Sequence, residues 1–191
     1  WVPTHFVRML KLPEENRRQY DLSSHRRAIH AAAPCPVPVK REMIEWWGPI
    51  ITEYYAGSEG IGMTLIKAED WLAHPGSVGK AIYGTLHICD PAGEELPAGE
   101  DGLIYFENQI MPSYHNDPEK TAEATHAAGW MTLGDIGHAD AEGYLYLTDR
   151  KSHMIISGGV NIYPQEIENL LVTHPKVMDA AVIGAPCPDL G

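Results

Sequence analysis

Residues 27–60 carry the pattern that most narrows the fold: a strand, a proline-opened helix, a second strand and a glycine loop, in unbroken succession. Residues 27–33 (RAIHAAA) form a short apolar run that reads as a buried strand. Pro34, Pro36 and Pro38 follow, and proline is tolerated ahead of a helix and in its first turn. The segment from Val37 to about Trp47 reads as that helix, with Val39, Met43, Ile44 and Trp47 near a 3–4 spacing. Pro49 ends it, and residues 50–55 (IITEYY) are β-branched and aromatic, as a strand requires. This order is the logic of an α/β sheet, in which ligands sit beyond the C-terminal ends of the strands. The loop at 56–60 is therefore where a ligand is expected.

The texture changes after His74-Pro75-Gly76. Residues 82–89 and 103–107 read as strands around a turn-rich stretch. Asn116 or Asp117 caps a helix predicted to run to about residue 127, and Gly129-Trp130 ends it. Strands at 137–139 and 144–147 form a hairpin about Asp140-Ala141-Glu142-Gly143. From Lys151 the reading is a strand at 154–156, a tight turn at Ser157-Gly158-Gly159, a helix from Pro164 to about 174 and a strand at 177–183. Ile167, Leu170 and Leu171 form the apolar face of that helix. Three units follow: 1–77, 78–150 and 151–191.

Composition excludes some functions. The net charge is −12 with His neutral, a balance that repels nucleic-acid phosphates. No apolar run approaches the roughly 20 residues of a membrane helix. Cys35, Cys89 and Cys187 are odd in number and far apart, which argues against a disulfide framework and fits a reducing, cytoplasmic compartment. The ten His are scattered without zinc-site spacing and read as separate surface or packing residues. The chain begins at Trp1 without an initiator Met and stops just after an apolar run at 180–184, so it is expected to be the interior of a longer protein.

Four segments carry the chemistry. In Tyr54-Tyr55-Ala56-Gly57-Ser58-Glu59-Gly60, the glycines let backbone N–H groups approach a phosphate, Ser58 can donate to it, and Glu59 offers the oxygen ligand that magnesium takes. In Gly129-Trp130-Met131-Thr132-Leu133-Gly134-Asp135-Ile136-Gly137, flanking glycines are expected to hold Asp135 at a loop tip, where a carboxylate can accept from both hydroxyls of a ribose. In Thr148-Asp149-Arg150-Lys151-Ser152, the planar fork of Arg150 can reach a phosphate or ribose. In the stretch from Ser157 to Glu168, Gly158-Gly159 allow close approach of a thin ligand, ahead of a helix N-terminus. Taken singly, each is also compatible with an ordinary turn.

Their order and spacing are more specific. The series resembles the adenylate-forming superfamily of acyl-CoA synthetases, luciferases and peptide-synthetase adenylation domains. The superfamily pattern runs Y-G-x-T-E, G-W-x-x-T-G-D and D-R-x-K-x-x-I-x-x-G-G-x-N-I-x-P-x-E-I-E. Its counterparts here are Tyr55 to Glu59, Gly129 to Asp135 and Asp149 to Glu168, and Ala31-Ala32-Ala33-Pro34 is similar to the strand end that walls the adenine pocket. The resemblance covers essentially the whole chain. It implies an α/β fold: the end of an α/β sheet subdomain that binds ATP and acid, a small β-rich subdomain, and the start of a small α+β C-terminal domain.

The resemblance also implies an acid–CoA ligase. A carboxylic acid, most similar to the bacterial fatty-acyl branch, and MgATP would give acyl-adenylate, and coenzyme A would displace AMP. Tyr54, Tyr55, Gly57 and the backbone around Ala33 would hold adenine and phosphate. Ser58 and Glu59 would act on the phosphates and magnesium, and Asp135 and Arg150 on the ribose. Gly158 and Gly159 would line the coenzyme A path, and Ser152 would be the hinge of a rotating C-terminal domain. The superfamily's phosphate loop would lie before Trp1 and its adenylation lysine after Gly191, so these residues alone are expected not to be a competent ligase. Three positions depart from the pattern at the site: Ala56 for Gly, Ser58 for Thr and Leu133 for Thr. Ser152 departs from the common hinge Lys or Asp. An enzyme loading a carrier protein, or an inactive nucleotide-binding homologue, fits the same motifs.

Overall fold

A computed structural model describes residues 1–187. In chain order its elements are α1 (Pro3–Leu10), α2 (Glu14–Arg18), β1 (Ala28–His30), α3 (Val37–Trp47), β2 (Ile51–Ala56), β3 (Met63–Lys67), α4 (Ala68–Ala73), β4 (Ser77–Tyr83), β5 (Thr85–Cys89), β6 (Gly102–Glu107), α5 (Pro118–Glu123), β7 (Met131–Ala139), β8 (Leu145–Arg150), β9 (Ile155–Ser157), β10 (Val160–Ile162) and α6 (Pro164–Leu171).

The predicted strand–helix–strand unit is present. β1 and β2 lie parallel, with Ala28, Ile29 and His30 opposite Ile51, Thr52 and Glu53. Parallel neighbours need a crossover, and α3 is that crossover. It opens at Pro36 and Val37, and Gly48, at φ 83°, closes it by donating its N–H to Ile44 O at 2.8 Å. The other pairings in this sheet are antiparallel, and its strand order is β1-β2-β3-β4-β8-β7-β6-β5.

The mixed sheet passes without a break through residue 77. β4 pairs with β3 through Leu65 and Lys80, and with β8 through Ser77 and Tyr146. Gly79 makes the double pairing possible. It has φ 98°, and a Cβ there would collide with the Leu65 carbonyl. Two apolar cores divide the sheet between them. Phe6, Met43, Ile44, Ile51, Ile66 and Trp71 pack the helices on β1–β3. Ile61, Val78, Ile88, Ile104, Phe106 and Leu145 form the second, under β4–β8.

Several expectations are corrected. The single strand expected at 82–89 is two, because Gly84, at φ 76°, turns the chain between β4 and β5. The hairpin about residues 140–143 has longer arms than expected, so the Gly129–Gly137 motif runs into strand β7 instead of a loop. The helix at 116–127 is shorter: Asp117 caps it, its carboxylate accepting from the Lys120 N–H at 3.0 Å, and the helix ends at Glu123. The last helix ends at Leu171. Residues 177–183 form no strand. They are held by single bonds, the Lys11 ammonium donating to Val177 O and Val182 N–H donating to Glu168 Oε1 at 2.8 Å.

β9 and β10 form a separate two-stranded sheet closed by Gly158 and Gly159, with φ values of 57° and 81°. Paired positive φ values are what a two-residue hairpin turn demands. Among the described residues, no helix is long and apolar enough to cross a membrane.

Candidate nucleotide site

β2, β7 and β8 bring three of the predicted residues into direct contact. Asp135 is buried within β7, next to Gly134 with φ 82° and directly opposite Arg150 of β8. Lys151 N–H donates to Gly134 O at 2.9 Å, so the glycine's conformation is used inside the sheet and not at a loop tip. The Tyr55 hydroxyl donates to Asp135 Oδ2 at 2.7 Å, and Arg150 Nε lies 3.2 Å from Oδ1. Burial, then the Asp135 carboxylate, hold the Tyr55 phenol far above its ordinary value, so it remains a donor. A carboxylate has about four lone-pair sites. One accepts from Tyr55, and Arg150 is ion-paired beside the other oxygen, which leaves acceptor capacity for a diol. The Arg150 side chain is 61% exposed and free to meet a ligand from the solvent side.

Below this trio the loop 56–60 folds back on itself, Gly60 N–H donating to Gly57 O at 3.1 Å. Ser58 Oγ lies 3.3 Å from Glu59 Oε2, and the Tyr114 hydroxyl donates to Glu59 Oε1 at 3.2 Å. Burial and then Glu59 raise the Tyr114 phenol as well. Glu59 is thus an oriented, half-buried carboxylate, and hard oxygen is the donor magnesium takes, usually with one or two carboxylates, substrate phosphate and water. The residues fit that ion. Tyr114 is 55 residues from Glu59 in sequence, so no spacing could have announced it.

The departures from the motif are accommodated by packing. Ala56 ends β2 in extended backbone and needs no glycine freedom. Leu133 fills the space left by the missing side chain of Gly57, where a Cβ would stand 2.5 Å from Leu133 Cδ2. Tyr55 also lies against Phe106, ring centroids 6.3 Å apart. Tyr54, next along β2, points the other way and is exposed.

Ala33 lies in the exposed loop after β1, where Ala32 has φ 77°, and it faces a cleft shared with Gln165 and Asn169 of α6. A larger cavity of about 450 Å3 lies between the Pro34–Pro38 segment, Glu53, Tyr146 and the α6 residues Asn169 and Leu170. Gly158 and Gly159 sit in the β9–β10 hairpin, a different sheet from that of the trio, and Ser152 is an exposed turn residue between β8 and β9. Asp149, buried beside Arg150, has no role of its own in the motif but makes two bonds here. Its Oδ1 accepts from Arg150 N–H at 2.6 Å and its Oδ2 from Gln165 N–H, the second residue of α6, at 3.1 Å.

A family model described as AMP-binding enzyme matches residues 1–115. The chain is 38% identical over its whole length to a 3-[(3aS,4S,7aS)-7a-methyl-1,5-dioxo-octahydro-1H-inden-4-yl]propanoyl:CoA ligase of Rhodococcus jostii (strain RHA1), of which it covers 35%. It is 36% identical, over 97% of its length, to a long-chain-fatty-acid–CoA ligase of Bacillus subtilis (strain 168), covering 33% of it. Among solved structures it is similar to o-succinylbenzoate CoA synthetase from Bacillus subtilis in complex with the acyl-adenylate intermediate OSB-AMP. There the TM-score is 0.84 at 33% identity, over all of this chain and 38% of that one. An amide bond synthetase from Marinactinospora thermotolerans gives a TM-score of 0.85 at 31% identity, over all of this chain and 40% of that one. The chain therefore spans about a third of the length of the curated relatives it matches.

Proposed function

The chain belongs to the AMP-binding enzyme family, and on that premise we propose that it is the nucleotide-gripping part of an acid–CoA ligase. The observation that carries the reading is the contact chain Tyr55–Asp135–Arg150, in which a buried carboxylate accepts from the Tyr55 hydroxyl, is ion-paired with Arg150 and keeps acceptor capacity.

In this reading the acid's carboxylate oxygen attacks the α-phosphorus of ATP and pyrophosphate leaves. The sulfur of coenzyme A then attacks the acyl carbonyl carbon, the thiol proton is lost to solvent, and AMP leaves with the carboxylate oxygen. Asp135 accepts from the ribose hydroxyls, and Arg150, ion-paired with Asp135 through Nε, presents its N–H groups to ribose or phosphate. Tyr55 and the backbone at Ala33 bound the adenine, with Tyr54 at the rim. Gly57 keeps the loop backbone close to the phosphates and Ser58 donates to one of them. Glu59 is the residue that would hold magnesium, whose charge neutralises the phosphate oxygens when bound.

Gly158 and Gly159 line the pantetheine path, and Ser152 is the hinge on which the unit from residue 151 turns between half-reactions. The large domain's two parts meet near residue 77. A fatty acid is the first acid to test, and a cytoplasmic setting suits free coenzyme A.

The test is the complete parent polypeptide with MgATP, coenzyme A and acids from acetate to palmitate, followed by mass spectrometry for AMP and acyl-CoA. Acyl-CoA from one acid class is the expected result. Acyl-adenylate without acyl-CoA would move the reading to another acceptor, such as a carrier protein. AMP binding without any product would reduce it to a nucleotide-binding homologue.

A further inference from the structure

The core beneath the proposed adenine pocket holds charge that none of the steps above uses. Glu53 of β2 and Lys40 of α3 form an ion pair in which both residues are nearly inaccessible, at 4% and 1% exposure. The Lys40 ammonium also sits 4.8 Å from the Trp71 ring centroid. His30, opposite Glu53 in the parallel register, places Nε2 3.5 Å from Glu53 Oε2, and neither ring nitrogen has a hydrogen-bond partner. Phe6 packs edge-on against the His30 ring, centroids 5.2 Å apart.

A buried ion pair is poor evidence of stability, since apolar residues of similar volume often do as well or better. What such a pair does supply is a fixed geometry, because both charges must meet to be tolerated. The geometry fixed here is specific. One residue past His30 begins the loop Ala31-Ala32-Ala33, which carries the left-handed Ala32. Two residues past Glu53, on the same face of the strand, is Tyr55, bonded to Asp135. Lys40 lies in the first turns of the helix at the far end of that loop. The Lys40–Glu53 pair thus ties the base of the Tyr55 strand to the helix at the far end of the loop, with His30 packed against Glu53 at the loop's near end.

We propose that Lys40, Glu53 and His30 form a positioning cluster for the nucleotide pocket, setting the Ala31–Ala33 loop against Tyr55 without touching the nucleotide. This rests on the nucleotide reading above but not on ligase turnover. It distinguishes the cluster from ordinary core, whose apolar replacement would leave ligand affinity alone.

The experiment is AMP titration by calorimetry on the complete parent polypeptide, with hydrogen exchange read over residues 31–36 and 54–60. The double variant Lys40→Met/Glu53→Leu removes both charges at similar volume. The expected result is a melting temperature near that of the parent, AMP affinity weakened by on the order of tenfold, and faster exchange confined to those two segments. Lys40→Arg, which keeps the charge, should retain most of the parent's affinity. Should the double variant not fold, Glu53→Gln, nearly isosteric, carries the same expectation of weakened AMP binding. Parental AMP affinity in a folded double variant, or in Glu53→Gln, overturns the proposal, as does a parent that binds no AMP. A parent that binds AMP but makes no acyl-CoA fails the ligase reading alone, and the affinity comparison still decides the role of the cluster.

Discussion

Tyr55 and Asp135 meet across 80 residues of sequence through a 2.7 Å hydrogen bond, with the phenol donating to a carboxylate that is 7% exposed. Removing that donor leaves a buried acceptor oxygen with one partner fewer. Tyr55→Phe is therefore expected to cost about 1–3 kcal/mol of stability. It should also weaken AMP binding, because Asp135 loses its orientation. Asp135→Ala should abolish measurable AMP binding, whereas Arg150→Ala, at an exposed side chain, should weaken it with little change in melting temperature. Calorimetric titration and thermal melting of the three variants separate these outcomes. Undiminished AMP affinity in Asp135→Ala would remove the carboxylate from the ribose role.

Gly57 and Leu133 are complementary in volume. A Cβ at Gly57 would stand 2.5 Å from Leu133 Cδ2 and 2.7 Å from Glu59 Oε2. Gly57→Ala should therefore cost about 1–3 kcal/mol through overpacking. Adding Leu133→Thr, which restores the family's residue and vacates the space, should recover most of it. A double-mutant cycle in denaturant checks the coupling. Additive costs would mean that the two side chains do not compete for the same space.

His30 gives the chain an acid sensitivity of known sign. Burial first, and the Lys40 charge second, hold its imidazole down to about 3, against an ordinary value of 6.5. Between those pH values the unfolded chain binds a proton that the folded chain refuses. The stability from a neutral His30 is thus present above about pH 6.5 and is lost as pH falls towards 3. The slope approaches about 1.4 kcal/mol per pH unit inside that window. Urea unfolding of the parent and of His30→Leu at pH 4.5 and 7 measures it. The parent should lose more stability on acidification than the variant, and equal losses would refute the assignment.

Local sequence revealed most of the elements and few of the contacts. The crossover helix could be placed closely because prolines open it and Pro49 bars its continuation, and in the structure Gly48 closes it. The Asp135 motif could be recognised but not placed. Two glycines beside an aspartate read as a loop, yet Gly134 takes its left-handed conformation inside a strand, with its carbonyl accepting from the Lys151 N–H just past β8. The expected strand at 177–183 failed because an apolar run pairs only where a neighbouring edge is offered, and residues 177–183 instead bond singly to Lys11 and Glu168. Tyr114 and the Lys40–Glu53 pair gave no sequence signal, since each acts through a partner that only the tertiary fold supplies.

Tyr114 offers a milder test of Glu59. Its hydroxyl donates to Oε1 at 3.2 Å from outside the motif. Tyr114→Phe keeps the ring packing and removes only that bond. The expected effect is a rise of several-fold in the magnesium concentration that half-saturates the parent polypeptide, with a modest fall in melting temperature, because a hydrogen bond to a carboxylate contributes roughly 1.5–3 kcal/mol, less where solvent screens it. Glu59→Gln should show a much larger rise. A magnesium dependence identical to that of the parent in both variants would take Glu59 out of the metal role.

Asp149 joins the large sheet to the C-terminal unit. Its carboxylate accepts from the backbone of its own neighbour Arg150 and from Gln165 at the second position of α6. The residue thus does for α6 what an N-cap side chain does for its own helix, but from the end of β8. The Tyr163 side chain supplies no cap of its own, so nothing in the preceding residue duplicates the contact. Losing a capping carboxylate costs roughly 0.5–2 kcal/mol, and the helix dipole adds to the attraction for a negative charge. In Asp149→Ala the loss should fall on the docked position of α6 and not on the sheet. Hydrogen exchange over residues 164–171 should accelerate, while the β5–β7 region keeps the parent's protection. If the C-terminal unit rotates about Ser152 during turnover, the same variant should alter the two half-reactions unequally. The reaction that uses the present pose should slow, and the other should be unchanged or faster. Uniform slowing of both, with unchanged exchange in α6, would show that Asp149 acts only through Arg150.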